Sequence, residues 1–386
     1  MGVGRHRIEP IRTAGLVLAL MVEAAACGGS SNSPTSTSGG NAAGVTYAKA
    51  QVDKYRGIPQ WVAPGPAFNA KAAAGKTLFV IPVTNTVPFV QTIADGMGAI
   101  SKQIGVNYVE WPNQGQPSQW VQGMNTAIDR NASSIDLLAG LNPQVVGPQI
   151  QAAKAKNTSV VVAHLYDVKQ AMDPNITAAV NIPYEQAGRL LADWVIWKTN
   201  GNADALAIRV DEVLSTVPMM AGMQDEFTKH CQGCKLDSFN VGIVDVASKI
   251  QPGVQSALVR DPKINYVIAL YDSAEGPFAV AGIKAAGKQD SVKVVTFNGT
   301  ASVLKTVAAK DVVEMDIGEN LDWIAYAIMD QHLRLMTGQQ AITDPHVPLR
   351  IFDSTNISEV GSPPQDSTGY GSAYQTEYRK LWQLSS

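Results

Sequence analysis

Few residues in this chain have the types and spacing for chemistry. Cys231 and Cys234 form a C-x-x-C pair beside His230. Such a pair fits a structural disulfide, a thioredoxin-like redox couple or part of a zinc site. A redox couple would follow an early strand and open a helix, whereas DEFTKHCQGCK ends one. Zinc needs about four ligands, and no second Cys or His pair stands nearby, so the pair reads as a disulfide of an oxidising compartment. The five histidines include no H-x-x-x-H pair, which weighs against a helical zinc site. No G-x-S-x-G elbow and no Ser/His/Asp order stands out. Residues 282–288 (GIKAAGK) have most of the spacing of a phosphate-binding loop. Gln289 takes the Ser/Thr position, however, and the stretch closes a helix instead of linking a strand to one. Gly96 and Gly98 fall within a helical pattern and read as packing glycines. No catalytic or metal-ligating set emerges; binding chemistry is left.

The elements that would position a binding site start at 76–89, KTLFVIPVTNTVPF. Thr77–Pro82 is a short apolar run of the kind that forms a parallel strand buried on both faces. A polar turn follows, then Pro88 at a suitable first helical position. Phe89, Ile93, Met97 and Ile100 carry helical spacing over 89–103. Strand, loop and helix in that order put Thr84, Asn85, Thr86 and Phe89 at the carboxyl edge of a sheet, where open α/β proteins bind ligands.

The rhythm continues. Strands are expected over 106–111, 134–138, 158–163 and 177–180, with helices over 116–130, 144–155 and 184–198. A second set places strands over 205–210, 240–244, 265–270 and 292–297, with helices over 216–230, 249–260, 274–286 and 301–309. Strand 313–317, helix 320–336 and strand 348–352 close it. Two successive βα sets predict two doubly wound parallel-sheet lobes.

Strand ends and crossovers hold Trp111, Asn142, His164, Tyr166, Asp272 and Asn298, all candidates for the ligand site, and Tyr184, Asp211, Glu212, Tyr271, Glu319 and Asn320, about half of them expected at a ligand. His164 is either cleft-lining or a satisfied core residue. Met219, Met220 and Met223 are either an adaptable pocket wall or helix packing. Trp120, Trp194 and Trp197 read as core, and His332, within a helix, as structural.

The 386 residues allow about two domains. Hydrophobic and charged fractions of 45% and 16% are those of an ordinary globular protein. A formal net charge of −3 argues against a nucleic-acid partner, and no apolar run reaches the length of a membrane-spanning helix. Arg5, Arg7 and Arg12 precede the apolar run 14–22 (AGLVLALMV), which has signal-peptide length. Ala24-Ala25-Ala26-Cys27-Gly28-Gly29 resembles a bacterial lipoprotein cleavage site, although Glu23 interrupts its approach and Ala24 stands where leucine is usual. That resemblance implies a signal peptide over 1–26 and a lipidated Cys27. A flexible Gly/Ser/Thr tether over 27–45 and a partly proline-rich arm over 46–75 would follow, the body anchored to the outer face of the cell membrane.

From 76 to 352 the chain resembles the type I periplasmic substrate-binding proteins of ABC importers, in their ribose-type sugar-binding branch. The resemblance rests on VIPVTNTVPF, Gly140-Leu141-Asn142-Pro143, the 181–187 crossover, Tyr271-Asp272, Ala285-Ala286-Gly287-Lys288 and Phe297-Asn298-Gly299-Thr300. It implies two lobes, 76–181 with 320–348 and 182–319 with 349–362, then a loose tail with a short helix over 363–386. Three crossings near Asn181, Glu319 and Leu349 would form the hinge. It implies Phe89 stacking on a sugar face, with Asn142, Asp272 and Asn298 bonding hydroxyls. Thr84, Asn142, Asp272 and Asn298 would then converge on one hollow. The family's Asp-Arg pair is replaced by His164-Leu165-Tyr166, and a second arginine by Met219-Met220-Ala221. The implied protein is a monomeric, non-catalytic receptor without cofactor or metal, delivering a sugar or polyol to an ABC permease. A less polar aromatic or nucleoside-like ligand, or a sensing role, is the alternative.

Overall fold

The computed structural model describes residues 38–384, so the expectations for the signal peptide and Cys27 fall outside the described residues. Five parallel strands form the first sheet, in the order β2-β1-β3-β4-β5: β1 (Thr77–Pro82), β2 (Asn107–Glu110), β3 (Ser134–Leu138), β4 (Ser159–Asp167) and β5 (Ala178–Ile182). The second sheet runs β11-β10-β9-β8-β6-β7, from β6 (Asp204–Arg209), β7 (Lys235–Asn240), β8 (Tyr266–Ala269), β9 (Lys293–Asn298), β10 (Val313–Glu319) and β11 (Leu349–Asp353). Only β11 is antiparallel, paired on β10. The buried apolar residues of β1, β3, β6 and β8 reflect helices covering both sheet faces.

Helices α2 (Pro88–Ile104), α3 (Pro117–Asp129), α4 (Gly147–Ala155) and α10 (Leu321–Met336) belong to the first lobe, where α10 packs on α2. Helices α5 (Tyr184–Lys198), α6 (Thr216–His230), α7 (Val246–Arg260), α8 (Asp272–Ala285) and α9 (Ala301–Ala308) belong to the second. The chain changes lobe at Pro183, at Asn320 and through 337–348. Two further connections cross as well. Helix α1 (Ser38–Arg56) packs on α5, α6 and β11, and the arm then leads to the first lobe. There Phe68 N donates to the Leu381 carbonyl at 2.9 Å and Ala70 N to that of Trp382 at 3.2 Å. Helix α11 (Ala373–Leu381) returns the C-terminal tail to α10.

Three expectations are corrected. The tether does not extend to residue 45, because the backbone is helical from Ser38. Gly44 is a packing residue: a Cβ there would lie 1.8 Å from the His230 carbonyl oxygen. Docking on α5 and α6 overrides the low helix propensity of a glycine-rich stretch. The seventh strand is 235–240 and not 240–244. As an edge strand it buries little, so KLDSFN lacks an apolar signature, while the more apolar Ile243 and Val244 point to solvent, Val244 93% exposed. The linker of the tail is not loose either: Tyr370 is buried and Asp366 accepts from Ala301 N at 2.7 Å. The expected short helix after it does form, with Tyr378 and Trp382 buried against Tyr326, their ring centroids 5.4 and 5.5 Å from it.

His332 bridges two lobe-one residues, its Nδ1 2.7 Å from Ser134 Oγ and its Nε2 2.9 Å from Asp136 Oδ2. This Ser–His–Asp chain is wholly buried, so it ties α10 to β3 and no substrate reaches it. Cys231 and Cys234 are joined as a disulfide just after α6.

Asp193, on the α5 face of the second lobe, has both carboxylate oxygens buried with no hydrogen-bond partner. Burial, then the charge of Glu226, pushes its pKa up to about 8 against the pull of Arg189. An unfolded aspartate titrates near ~3.9, so native Asp193 holds its proton more tightly. Its contribution to stability is full below that value and is lost as pH rises toward about 8. We expect Asp193→Asn to melt at the parent's temperature near pH 4 and several degrees higher at pH 9, read by thermal denaturation across pH.

Candidate binding cleft

The carboxyl ends of both sheets meet across the hinge around a hollow of about 220 Å³. From the first lobe come Val87, Phe89 and Val90 at the start of α2, Ala139 and Gly140 after β3, and His164 and Leu165 of β4. From the second come Val213, Ser215, Tyr271, Ser273, Ala274 and Asn298.

Local backbone irregularity aims these groups. Ala139, Gly140, His164, Asn298 and Gly299 all have positive φ, a conformation that costs free energy in residues with a Cβ. β4 runs past its expected end, and its pairing with β5 slips between Ala163 and Asp167. His164, φ 59°, sits within that slip and turns toward the second lobe. Gly299 is fixed by contact as well as conformation, since a Cβ would lie 2.5 Å from Gly318 Cα.

One carboxylate collects the polar groups. Glu319, at the end of β10, is buried and accepts at Oε1 from His164 Nε2 at 2.8 Å and from Asn298 Nδ2 at 2.7 Å. With Nε2 donating to Glu319, Nδ1 accepts from Tyr184 Oη at 3.0 Å. Rings continue the chain edge to face: Phe89 to His164 at 5.0 Å, His164 to Tyr184 at 5.6 Å and Tyr184 to Phe297 at 6.0 Å. The His164–Glu319 bond therefore joins the two lobes at the floor of the cleft.

Of the residues expected at a ligand, Phe89, His164, Tyr271 and Asn298 line the hollow, with Glu319 and Tyr184 bonded behind them. The expected convergence of Thr84, Asn142, Asp272 and Asn298 does not occur; only Asn298 faces the hollow. Thr84 and Thr86 bond each other at 3.0 Å within their own turn. Asn85 bonds Glu110 and the Asn113 amide. Trp111 Nε1 donates to the Gln119 carbonyl at 2.9 Å. Asn142 turns back to cap a 3₁₀ turn, accepting from Gln144 N at 3.0 Å, so its neighbours Ala139 and Gly140 line the hollow instead. Tyr166 is buried in the first lobe's core and Asp211 pairs outside with Arg209.

Asp272 faces inward. Its carboxylate accepts from Thr300 N and Oγ1, both at 2.7 Å, beside buried Asp316. Burial, then the Asp272 charge, holds Asp316 well above the usual carboxylate range. Asp272 thus braces the turn carrying Asn298, while Tyr271 and Ser273 on either side reach the cleft. Asn320 caps α10, accepting from Trp323 N at 3.0 Å, and Glu212 accepts from Ile243 N at 3.0 Å. Met219 and Met223 are core residues of the α5–α6 packing. Sequence reading missed Val87, Val90, Leu165, Val213, Ser215 and Ala274, apolar or small residues whose only signal is proximity to a strand end.

Two mostly parallel α/β lobes, with a cleft where the chain crosses between them, define a binding protein of the type I periplasmic fold. Residues 77–340 match the family described as periplasmic binding protein domain, and the chain belongs to that family. No curated protein matches. Among solved structures, a solute-binding protein of an ABC transporter from Burkholderia graminis, in complex with D-arabinose, is 18% identical. Its TM-score is 0.65, over 74% of this chain and 98% of that one. The 5-methylthioribose transporter solute-binding protein from Thermotoga lettingae is 16% identical, TM-score 0.65, over 80% and 94%. A solute-binding protein from Mycobacterium smegmatis with bound glycerol is 16% identical, TM-score 0.65, over 76% and 98%.

Removing the shared acceptor leaves two donors unpaired in a buried site, at a cost of roughly 1–3 kcal/mol each where water cannot replace it. We expect Glu319→Ala to lower the urea midpoint accordingly, and Glu319→Gln, which keeps one acceptor, to lose less than half as much.

Proposed function

We propose that the protein is an extracytoplasmic solute receptor that delivers a small sugar or polyol to an ABC importer by closing its two lobes on the ligand. The carrying observation is the hollow lined from both lobes, since a ligand held there favours the closed arrangement by touching both jaws at once. D-arabinose, 5-methylthioribose and glycerol in the structural relatives support a small, hydroxyl-bearing ligand. Phe89 and Tyr271 offer apolar faces to a ring, and Asn298 and Ser273 offer hydrogen bonds.

Within this reading the protein performs no catalysis, requires no cofactor, acts as a monomer and is held at the outer face of the membrane by lipid on Cys27. The small residues before Cys27 and the apolar run 14–22 support the anchor. No helix among the described residues is long and apolar enough to cross a membrane.

The test is a thermal-shift screen over sugars, polyols, nucleosides and small aromatics. A ligand at 100-fold its Kd stabilises by about 2.7 kcal/mol. Phe89→Ala and Asn298→Ala should abolish the shift, whereas Asn142→Ala, whose side chain only caps a turn, should keep it. Loss of the response in Asn142→Ala with retention in Phe89→Ala would move the site elsewhere.

A further inference from the structure

We infer that the preferred ligand is a neutral, sparsely hydroxylated compound with an apolar flank, such as a deoxy or alkyl-substituted sugar or polyol, and not a fully hydroxylated hexose. The inference rests on the receptor reading above and deepens it.

The first ground is how the polar side chains of the cleft are used. Both ring nitrogens of His164 are occupied, by Glu319 at 2.8 Å and Tyr184 at 3.0 Å. Asn298 commits its amide nitrogen to Glu319 at 2.7 Å, keeping its carbonyl oxygen and one amide proton for a ligand. The Tyr271 hydroxyl lies 2.8 Å from Ser215 Oγ and 2.9 Å from Thr216 Oγ1, so it and Ser215 largely satisfy each other. Ser273 and Asn298 are the main groups left to address a hydroxyl. A hexopyranose brings five hydroxyls, and each one buried without a partner weakens binding.

The second ground is the remaining wall. Phe89, Val90 and Leu165 face Val213, Tyr271 and Ala274 across the hollow, so both jaws present apolar surface. No Asp, Glu, Lys or Arg side chain lines it, and an ionised ligand group would lie desolvated without a counter-charge. The volume is also modest, about 220 Å³, below the ~300 Å³ at which drug-sized pockets begin. Together these favour a small molecule with two or three polar atoms at one end and hydrocarbon at the other.

The experiment measures Kd by titration calorimetry for matched pairs in which a terminal CH₂OH becomes CH₃: D-glucose with 6-deoxy-D-glucose, D-galactose with 6-deoxy-D-galactose, and D-ribose with 5-deoxy-D-ribose. We expect the deoxy member of at least one pair to bind about tenfold or more tightly than its parent. Val213→Thr, close in shape but polar, should narrow that ratio. If every parent that binds does so as tightly as its deoxy partner or more so, the inference falls and the receptor reading stands. If no member of any pair binds, the inference falls as well, and the receptor reading is then decided by the wider thermal-shift screen.

Discussion

The single carboxylate of Glu319 holds the cleft in order. It ends the last parallel strand of one lobe, is buried, and accepts a hydrogen bond from a histidine of the other lobe and from an asparagine of its own. Both donors, His164 and Asn298, stand at positive φ. Their backbone strain needs an interaction to hold it, and one low-dielectric acceptor shared by two donors supplies that. Tyr184, the first residue of the helix after a lobe crossing, completes the chain through the second ring nitrogen. Cleft floor and hinge are therefore parts of one network.

That arrangement also explains the character of the site. His164, Glu319 and Tyr184 are engaged with one another in joining the lobes. Lining is left to Phe89, Leu165, Val213 and Tyr271, with Asn298 and Ser273 at one side. The family's arginines would bring charge to such a wall; His164 and the buried Met219 bring none that faces the ligand unpaired.

The order of strands and helices was legible because doubly covered parallel strands are largely apolar, as in β1 (TLFVIP) and β8 (YVIA). The lobes followed from that rhythm. Elements whose stability comes from what they pack against were not legible: β7, polar at the edge, and the start of α1, glycine-rich and docked on α5 and α6. In the cleft the loops were found but not the side chains within them. Whether Asn142 or Gly140 faces the hollow depends on a cap three atoms long, and whether Asp272 or its neighbours face it depends on a buried bond to Thr300. Periodicity carries no information about either choice. His164 was readable as cleft-lining or satisfied, and it is both.

The docking of α1 gives the two jaws unequal mechanical standing. This helix rides on the second lobe, through Arg56 to Asp353 at 2.6 Å and Asn41 to the Gly201 carbonyl at 2.8 Å. The first described helix therefore belongs to the second lobe, although the strand that follows it in the chain, β1, belongs to the first. The first lobe is joined to it by five backbone connections and, at the cleft floor, by the His164–Glu319 bond, so parting the jaws must open that bond as well as bend the chain.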